Sequence, residues 1–390
     1  MRKAPFPPWP SFPSEWSRHL REILESGKVN YHTGKEGKAF EEEFAAYCGR
    51  RYGISLMNGT VALELALKAY GIGAGDEVIV TPRSFIASAS CIVSAGATPI
   101  FADIDPVSQN ITPETIKERL TERTKAIVAV HHAGWPCEMD PIMDVAEKRG
   151  LIVIEDCAQA HGASYNTHKA GALGHIAAFS FCQDKIFTTG GEGGMVLTDD
   201  HSTMKKIWAL RDHGKDLEIM KNLPSSPAFK WVHTSFGSNY RMTEFQSALG
   251  RLGLKEMDKW VEMRRYNAAM LSKCLSQFPS IRITDPPKHI YHSYYKYYCF
   301  IRPDNLREGW SRDKIMEAIS AEGIPCFSGS CPEIYREKAF EAIKTPPERL
   351  PVAKELGETS LMFLVHPTIG AKDMDDMQRA IEKVLSIATK

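Results

Sequence analysis

The sequence contains no long hydrophobic run and no excess of charge of either sign. No segment of the 390 residues approaches the roughly 18 consecutive apolar residues of a membrane-spanning helix. Lysine plus arginine and aspartate plus glutamate both total 48, so the formal net charge is zero. Without a basic excess, nucleic acid is not expected as the main partner. These features argue against a membrane protein and against a nucleic-acid-binding protein.

The sequence also lacks a secretory signal, a cysteine framework and a metal-binding motif. The opening MRKAPFPPWPSFP has no continuous apolar segment and is interrupted by prolines, unlike a signal peptide. The nine cysteines are odd in number and include no CxxC pair, which argues against a disulfide scaffold and a zinc knuckle. His131 and His132 have no further ligands at a useful spacing, so no metal is predicted. A cytoplasmic protein with reduced thiols is expected.

What the sequence does contain is a regular alternation of strand-like and helix-like segments. Short β-rich apolar runs predict strands at 77–82, 98–104, 126–130, 151–156 and 177–181. Apolar residues at three- and four-residue spacing predict helices between them, at 58–70, 85–95, 113–121 and 140–149. The strands are continuously apolar, which favours an α/β fold with a parallel sheet covered on both faces.

The pattern changes after about residue 241. A long helical pattern covers 243–275, and an aromatic stretch at 291–301 is interpreted as a strand of a second domain rather than a nucleic-acid stacking surface. We therefore predict a large domain over residues 1–250 and a small C-terminal domain over 251–390. The large domain begins with an N-terminal arm, residues 1–30, in which PPWPSFPSEW is extended.

Two acids stand at the end of the predicted strand 151–156. In an open parallel sheet, ligands bind at the carboxyl ends of the strands, where Glu155 and Asp156 lie. Because successive side chains of a strand point to opposite faces, only one of the two acids can face a given pocket. The alternative is that both are solvated loop acids.

A possible anion site precedes the first helix of the α/β region. Asn58, Gly59 and Thr60 stand immediately before a strong helix-forming segment, so free backbone N–H groups and a hydroxyl would suit a phosphate. An ordinary helix N-cap is the alternative. The GIGAGDE stretch at 71–77 follows a helix and precedes a strand, so it is interpreted as a tight turn rather than a dinucleotide-binding loop.

Lys185 follows the predicted strand 177–181 and precedes four glycines, at positions 190, 191, 193 and 194. A surface charge is the ordinary role of such a lysine. The glycines are expected to let the backbone approach a bulky ligand closely, and Ser180 and Thr188 supply hydroxyls nearby. In such a site a lysine can lose its proton and act as a nucleophile toward a carbonyl.

Together these features fit pyridoxal phosphate. This cofactor needs an anion site for its phosphate, a carboxylate for its pyridine nitrogen and a lysine for its Schiff base. The helix start, the strand-end acid and the lysine beside the glycine loop supply all three, and their combination in one α/β domain predicts this cofactor.

The sequence resembles the nucleotide-sugar aminotransferases of the DegT/DnrJ/EryC1/StrS family. The resemblance covers most of residues 30–270 and rests on NGTVALELAL (58–67), GAGDEVIVTPRSFIASA (73–89), GATPIFADID (96–105), RTKAIVAVHHAG (123–134), IEDCAQAHGA (154–163), GALGHIAAFSF (171–181) with Lys185 and GGEGGMV (190–196), and NYRMTEFQSALG (239–250). It implies the type I fold of pyridoxal phosphate enzymes. That fold has a large domain with a mostly parallel seven-stranded sheet covered by helices, and a smaller C-terminal α+β domain.

The resemblance also implies roles for individual residues. Lys185 would form the Schiff base, Asp156 would contact the pyridine nitrogen and Gln159 the ring hydroxyl. Around them, the resemblance implies cofactor contacts by a further set of residues: Asn58, Gly59, Thr60 and Ser180 at the phosphate, Phe85 stacked on the ring, and Asn239 reaching the phosphate of the neighbouring subunit. The last role implies a homodimer with composite active sites.

Several positions depart from the usual family pattern. Asn58 stands where serine is most frequent, and the loop after Lys185 is one glycine longer than the commonest spacing. Cys182 and Gln183 replace a histidine and a proline, and His132 with Ala133 replaces a Leu-Tyr pair. These positions lie around the substrate side, so they bear on which sugar is accepted more than on the cofactor.

The resemblance implies transfer of an amino group from L-glutamate, which leaves as 2-oxoglutarate, to a nucleotide-linked 4-keto-6-deoxyhexose. A dTDP-sugar is favoured, with UDP or GDP as alternatives, and the product would serve O-antigen, polysaccharide or glycoside biosynthesis. Transfer at C-3, a sugar dehydratase and a non-catalytic regulatory protein are the other readings; the best-known dehydratases carry histidine where Lys185 stands. Candidates for holding the nucleotide are Lys215, His233, Arg241 and His292.

Overall fold

The computed structural model describes residue 2 and residues 4–225, 227–343, 346 and 348–390. In chain order its strands are β1 Tyr52–Leu56, β2 Glu77–Val80, β3 Thr98–Phe101, β4 Thr124–Val130, β5 Ile152–Asp156, β6 Ser164–Tyr165, β7 His168–Lys169, β8 Ile176–Ser180, β9 Gly194–Thr198, β10 Ile281–Arg282, β11 Ile290–Tyr291, β12 Tyr297–Ile301, β13 Cys326–Phe327 and β14 Ser360–Phe363.

Helices follow most of these strands. They are α1 Trp16–Ser26, α2 Glu36–Cys48, α3 Gly59–Ala69, α4 Ala87–Ser94, α5 Pro113–Lys117, α6 Met139–Arg149, α7 His201–Arg211, α8 Leu217–Lys221, α9 Glu244–Leu254, α10 Met257–Leu275, α11 Arg312–Ala321, α12 Pro351–Thr359 and α13 Ala371–Ala388. Within the described residues, no helix combines the length and apolar character needed to cross a membrane.

The largest sheet of the described chain has seven strands in the order β1-β9-β8-β5-β4-β2-β3. β9 runs antiparallel to both of its neighbours, and the other adjacent pairs are parallel. Helix α3 packs on β8 and β9, α6 on β5, and α2 and α7 on β1. The predicted fold class, a mostly parallel seven-stranded sheet covered by helices, is confirmed.

The aromatic stretch at 291–301 does not form the single strand that its composition predicts. Its first residue belongs to β11, which pairs with β6, whereas β12 pairs with β10 and β14 in a separate four-stranded antiparallel sheet. The chain turns between them at Tyr294, whose φ is +47°. The amide of Tyr294 donates to Nδ1 of His292 over 2.9 Å, which stabilises the turn.

The long helical pattern at 243–275 is also interrupted. Helix α9 begins at a capping box between Thr243 and Gln246, and a turn closed by the Glu256 amide and the Gly253 carbonyl separates it from α10. Along α10 the packing partner changes. Val261 belongs to the core beneath the large sheet, and Ala268 to the core of the C-terminal region. The domain boundary at residue 250 stays a prediction, and the change of core lies shortly after it.

Candidate active site

The carboxyl ends of β5 and β8 and the start of α3 surround a cavity of about 530 Å³. Eight of the nine residues predicted from the sequence to contact the cofactor line this cavity, and Asn239, predicted to reach a neighbour's cofactor, does not: the eight are Asn58, Gly59, Thr60, Phe85, Asp156, Gln159, Ser180 and Lys185. They come from segments more than a hundred residues apart in the chain. The parallel sheet brings them together because its strands end at one edge.

The start of α3 is both a capped helix and an anion cradle. Oδ1 of Asn58 accepts the Val61 amide over 2.9 Å, so Asn58 is the N-cap. The amides of Gly59 and Thr60 have no acceptor within the described residues and open on the cavity. A Cβ atom at Gly59 would lie 2.5 Å from Cβ of Ser180, so glycine allows this helix start to approach β8. The two amides and the Ser180 hydroxyl therefore suit a phosphate.

Asp156 is a buried carboxylate aimed into the cavity. Its Oδ2 accepts the Ser88 hydroxyl over 2.7 Å and its Oδ1 accepts the Ala158 amide over 3.1 Å. In the described part of the chain no cationic side chain forms an ion pair with it. A buried carboxylate with neutral donors alone is well placed to stabilise a cationic ring nitrogen of a ligand.

Lys185 lines the same cavity, and two hydrogen bonds hold its main chain. Its amide donates to the Cys182 carbonyl over 3.1 Å, and its own carbonyl accepts the indole N–H of Trp9 over 2.7 Å. The Lys185 Nζ lies 5.1 Å from the ring centre of Tyr295, whose hydroxyl donates to Asp184. Burial alone would raise the pKa of Asp184, but Lys185, the Tyr295 hydroxyl and Lys296 together lower it.

Comparison with known proteins decides the family. The sequence profile of the DegT/DnrJ/EryC1/StrS aminotransferase family matches residues 11–382. An aminotransferase structure from Psychrobacter cryohalolentis is 50% identical, superposes with a TM-score of 0.96, and the match covers 98% of this chain and 99% of that one. The chain belongs to the DegT/DnrJ/EryC1/StrS aminotransferase family.

Curated relatives are similar over nearly the whole chain. The GDP-perosamine synthase of Caulobacter vibrioides is 36% identical over 356 residues, which is 89% of this chain and 89% of that protein. The pleiotropic regulatory protein of Geobacillus stearothermophilus is 33% identical over 375 residues, 95% of this chain and 93% of that protein. The chain is a pyridoxal-phosphate-dependent aminotransferase of type I fold, in the group that acts on nucleotide sugars and related compounds.

The residues of the aminotransferase cavity fit this cofactor. The amides at the start of α3 suit its phosphate, Asp156 suits its ring nitrogen, and Lys185 supplies the amine that would hold it covalently. The side-chain carbonyl of Gln159 accepts the Ala133 amide over 2.8 Å, which fixes Gln159 against the cavity wall.

The second strand-end acid of the aminotransferase has a structural role. Glu155 points away from the cavity and accepts the amides of Gly171, Leu173 and Gly174 over 2.7–2.8 Å. Nε2 of His131 lies 3.0 Å from its carboxylate. Burial alone would raise the pKa of Glu155, but His131, Arg50 and the Gly174 amide lower it. Only one of the two acids faces the cavity, as strand alternation predicts.

The pair His131 and Glu155, with Cys157, also places three potential metal ligands within 4.8 Å of one another. Nδ1 of His131 accepts the Cys137 amide over 3.0 Å, so its proton lies on Nε2 and is donated to Glu155. Both ring nitrogens and the carboxylate are therefore engaged in hydrogen bonds that organise the loop after β7.

Replacing Glu155 by glutamine should destabilise the protein by about 3–5 kcal/mol, because this buried carboxylate accepts three main-chain amides and lies against a buried histidine. The measurement is the midpoint of urea unfolding of the cofactor-loaded protein. The matched control is Glu118→Gln, whose side chain is exposed and whose effect should stay within about 0.5 kcal/mol. An E155Q protein as stable as E118Q would contradict the structural role.

At two positions, the glycines after Lys185, which were predicted to let the backbone approach a bulky ligand, lie against atoms of the protein itself. A Cβ atom at Gly194 would collide with the Asn58 carbonyl, and one at Gly193 with the Thr189 hydroxyl. Gly190 and Gly191 have φ values of +92° and +130°. The glycines serve tight packing of the loop against α3 and its turns, and Glu192 is the residue by which this loop lines the cavity.

The four predicted nucleotide contacts do not line the cavity of their own chain. Arg241 and Lys215 form ion pairs with the buried Asp212, and His233 pairs with Lys215 through the backbone. Asn239 belongs to the same cluster, through a backbone bridge to Asp212. His292 is buried against Trp135 and Tyr294, and burial lowers its pKa to about 3, so it stays neutral.

The structure adds cavity residues that sequence reasoning missed. They include Ser88, Asp184, Glu192, Tyr295, Ser330 and Cys331. Asp184 could have been noticed because it directly precedes Lys185. Tyr295, Ser330 and Cys331 come from the C-terminal region, and nothing in their local sequence signals that they face a site built on the large sheet.

Proposed function

We propose that this enzyme transfers the amino group of L-glutamate to the keto carbon of a nucleotide-linked 4-keto-6-deoxyhexose, with 2-oxoglutarate and a 4-amino sugar as products. The observation that carries the proposal is the placement of Lys185 in one cavity with Asp156 and the anion cradle of Gly59 and Thr60. The similarity to a GDP-perosamine synthase supports a nucleotide-linked sugar as acceptor. A dTDP-sugar remains the favoured acceptor, with UDP- and GDP-sugars as alternatives.

Three residues of the cavity, Lys185, Asp156 and Phe85, have defined tasks in this proposal. Bound pyridoxal phosphate supplies the electron sink that stabilises negative charge at the donor α-carbon. Nζ of Lys185 would move the proton from that carbon to the C4′ carbon of the cofactor, and the second half-reaction would run the same transfer in reverse, from C4′ to the sugar carbon. The Asp156 carboxylate keeps a proton on the ring nitrogen, and the exposed ring of Phe85 lies at the cavity wall, where it can stack on a planar ligand.

The experiment is incubation of the protein with L-glutamate and a panel of nucleotide keto-sugars, with the product identified by mass spectrometry and NMR. A new amine at C-4 together with 2-oxoglutarate is the expected result. An amine at C-3 would overturn the assigned position, and turnover with L-glutamine but not L-glutamate would overturn the donor. Amination of a free keto-cyclitol with no turnover of any nucleotide sugar would overturn the substrate class.

We also propose that two copies of the chain share each active site. Phe229, Trp231 and Phe236 are 77%, 87% and 98% exposed, which is unusual for large aromatic side chains. The irregular segment that carries them leads into Asn239, a predicted contact to the neighbour's cofactor. A second copy covering these rings would place Asn239 and the cations around Asp212 beside the partner's cavity. The nine unpaired cysteines support a reducing compartment, the cytoplasm, for this dimer.

Mixed dimers test the shared site. Lys185→Ala and Asn239→Ala chains should each be poorly active alone. When the two chains are produced together, random pairing should restore about a quarter of wild-type turnover, because half of the dimers would hold one intact site out of two. Turnover is measured after co-expression of the two chains with one common tag, without separation of the different dimers. Mixtures no more active than the separate variants would contradict the shared site, and light scattering at the mass of one chain would contradict the dimer.

A further inference from the structure

A second cavity of about 330 Å³ adjoins the active site beneath the N-terminal strap, residues 6–9. The strap and the C-terminal region enclose it, and charged and polar side chains line part of its wall: Asp184, Arg264, Tyr295, Lys296 and His366. Asp184 and Tyr295 line the active-site cavity as well. The two cavities are therefore separated by the Tyr295–Asp184 pair.

Arg264 on α10 is the unusual residue of this cavity. Its side chain is buried, and Nη1 donates to the Tyr295 carbonyl over 3.1 Å. Nε and Nη2 have no hydrogen-bond partner among the described residues. These two N–H groups form one edge of the planar guanidinium, the edge that binds a carboxylate or a phosphate with two parallel hydrogen bonds.

Among the described residues, no acidic side chain forms an ion pair with Arg264. Trp9 places its ring 5.1 Å from the guanidinium carbon. Asp184 accepts the Tyr295 hydroxyl and lies 3.7 Å from Nζ of Lys296. Two cations thus share one carboxylate that is already engaged. Burial lowers the pKa of Arg264 to about 9 and that of Lys296 to about 8, the response of buried cations that lack enough negative charge around them.

We propose that the cavity beneath the strap binds a small oxyanion, a phosphate or a carboxylate, held by Nε and Nη2 of Arg264 and by Nζ of Lys296. This site is distinct from the cradle at Gly59 and Thr60, which lines the active-site cavity and not this one. Trp9 connects it to the active site, because its ring packs on Arg264 and its indole N–H bonds the Lys185 carbonyl. The ligand would fix the strap in its closed position.

The test is calorimetric titration of the cofactor-saturated enzyme with inorganic phosphate and, separately, with glutarate, a dicarboxylate that cannot take part in transamination. At constant ionic strength, at least one of them should bind saturably. Arg264→Gln and Lys296→Gln should each weaken that binding by at least about 10-fold, because each removes a charge-assisted contact. Lys259→Gln, on the exposed side of the same helix, should bind as the wild type does.

The outcomes separate the possible sources of the anion. Binding of phosphate alone identifies a phosphate ligand, and binding of glutarate alone a carboxylate ligand. No saturable binding of either, or equal affinity in wild type, R264Q and K296Q, would overturn the proposal. If R264Q does not fold, the titration of K296Q is combined with a crystal structure of the wild-type enzyme grown with the anion that binds. Electron density for the anion between Arg264 and Lys296 supports the site, and density elsewhere overturns it.

The affinity of this site should also depend on pH. Lys296 faces Asp184, Arg264, Lys185 and the ring of Tyr295. Its buried ammonium has a pKa of about 8, so anion affinity should fall as the pH rises through that range and the ammonium loses its proton. The fall should be smaller in K296Q, and an equal fall in both proteins would contradict the role of Lys296.

Discussion

Replacing Lys185 by alanine should lower aminotransferase turnover by more than about 10⁴-fold, because one change removes the proposed covalent anchor for the cofactor and the proposed proton-transfer group. Nζ of Lys185 lies in the same cavity as Asp156 and the anion cradle at the start of α3. Among the described residues, no other lysine lines this cavity, so none is placed to take over its task. The measurement is formation of 2-oxoglutarate in steady state with saturating sugar.

A second readout isolates the covalent role of Lys185. Borohydride reduction of the wild-type enzyme should fix the cofactor on the peptide that carries Lys185, as mapped by mass spectrometry. Lys205→Ala is the matched control, since Lys205 is a partly exposed lysine of the same domain, paired with Glu218. It should keep wild-type turnover and labelling. Cofactor found on a different lysine, or a K185A enzyme that still turns over, would refute the assignment.

Local sequence was sufficient where a pattern and a function coincide on one short segment. The apolar run before Asp156 forms β5, and the helix after Asn58 begins within one residue of its predicted start. The residues that form the end of this strand and the start of this helix are also the residues that carry the functional groups needed there. For this reason Asp156, Thr60 and Lys185 could be predicted to share one site.

Local sequence was insufficient where distant segments determine the structure. β9 begins at Gly194, inside a glycine-rich stretch whose composition indicates a loop. That glycine is required because the Asn58 carbonyl lies against it, a contact between residues far apart in the chain. The same limit applies to Tyr295 and Cys331, which reach the cavity from the C-terminal region.

The cations predicted to hold the nucleotide illustrate a different limit. Arg241 and Lys215 were candidates because of their charge, yet in this chain both are paired with the buried Asp212. Charge alone does not distinguish a residue that serves its own cavity from one that serves a structural cluster or a neighbouring subunit. Pairing Lys185→Ala chains with Arg241→Ala chains in the mixed-dimer experiment would separate the last two roles.

Replacing Asp156 by asparagine should lower turnover by about 10²–10³-fold while leaving the protein folded, because the change removes the charge proposed to face the cofactor ring and keeps one of the two acceptor oxygens. The side-chain oxygen of asparagine can still accept the Ser88 hydroxyl, which now lies 2.7 Å from Asp156. The loss should therefore appear in kcat and in the absorption spectrum of the bound cofactor, whose ring nitrogen would no longer hold its proton at neutral pH.

Glu155→Gln supplies the opposite pattern and is the control for this experiment. The Glu155 carboxylate accepts the Gly171, Leu173 and Gly174 amides and does not face the cavity, so E155Q should lose stability and keep the specific activity of its folded fraction. D156N should keep its free energy of unfolding within about 1 kcal/mol of the wild-type value and lose activity. The two adjacent acids differ by one position on a strand, and the pleat alone assigns them to opposite faces. Equal loss of activity in both variants would show that the cavity depends on the integrity of this strand end rather than on the charge of Asp156.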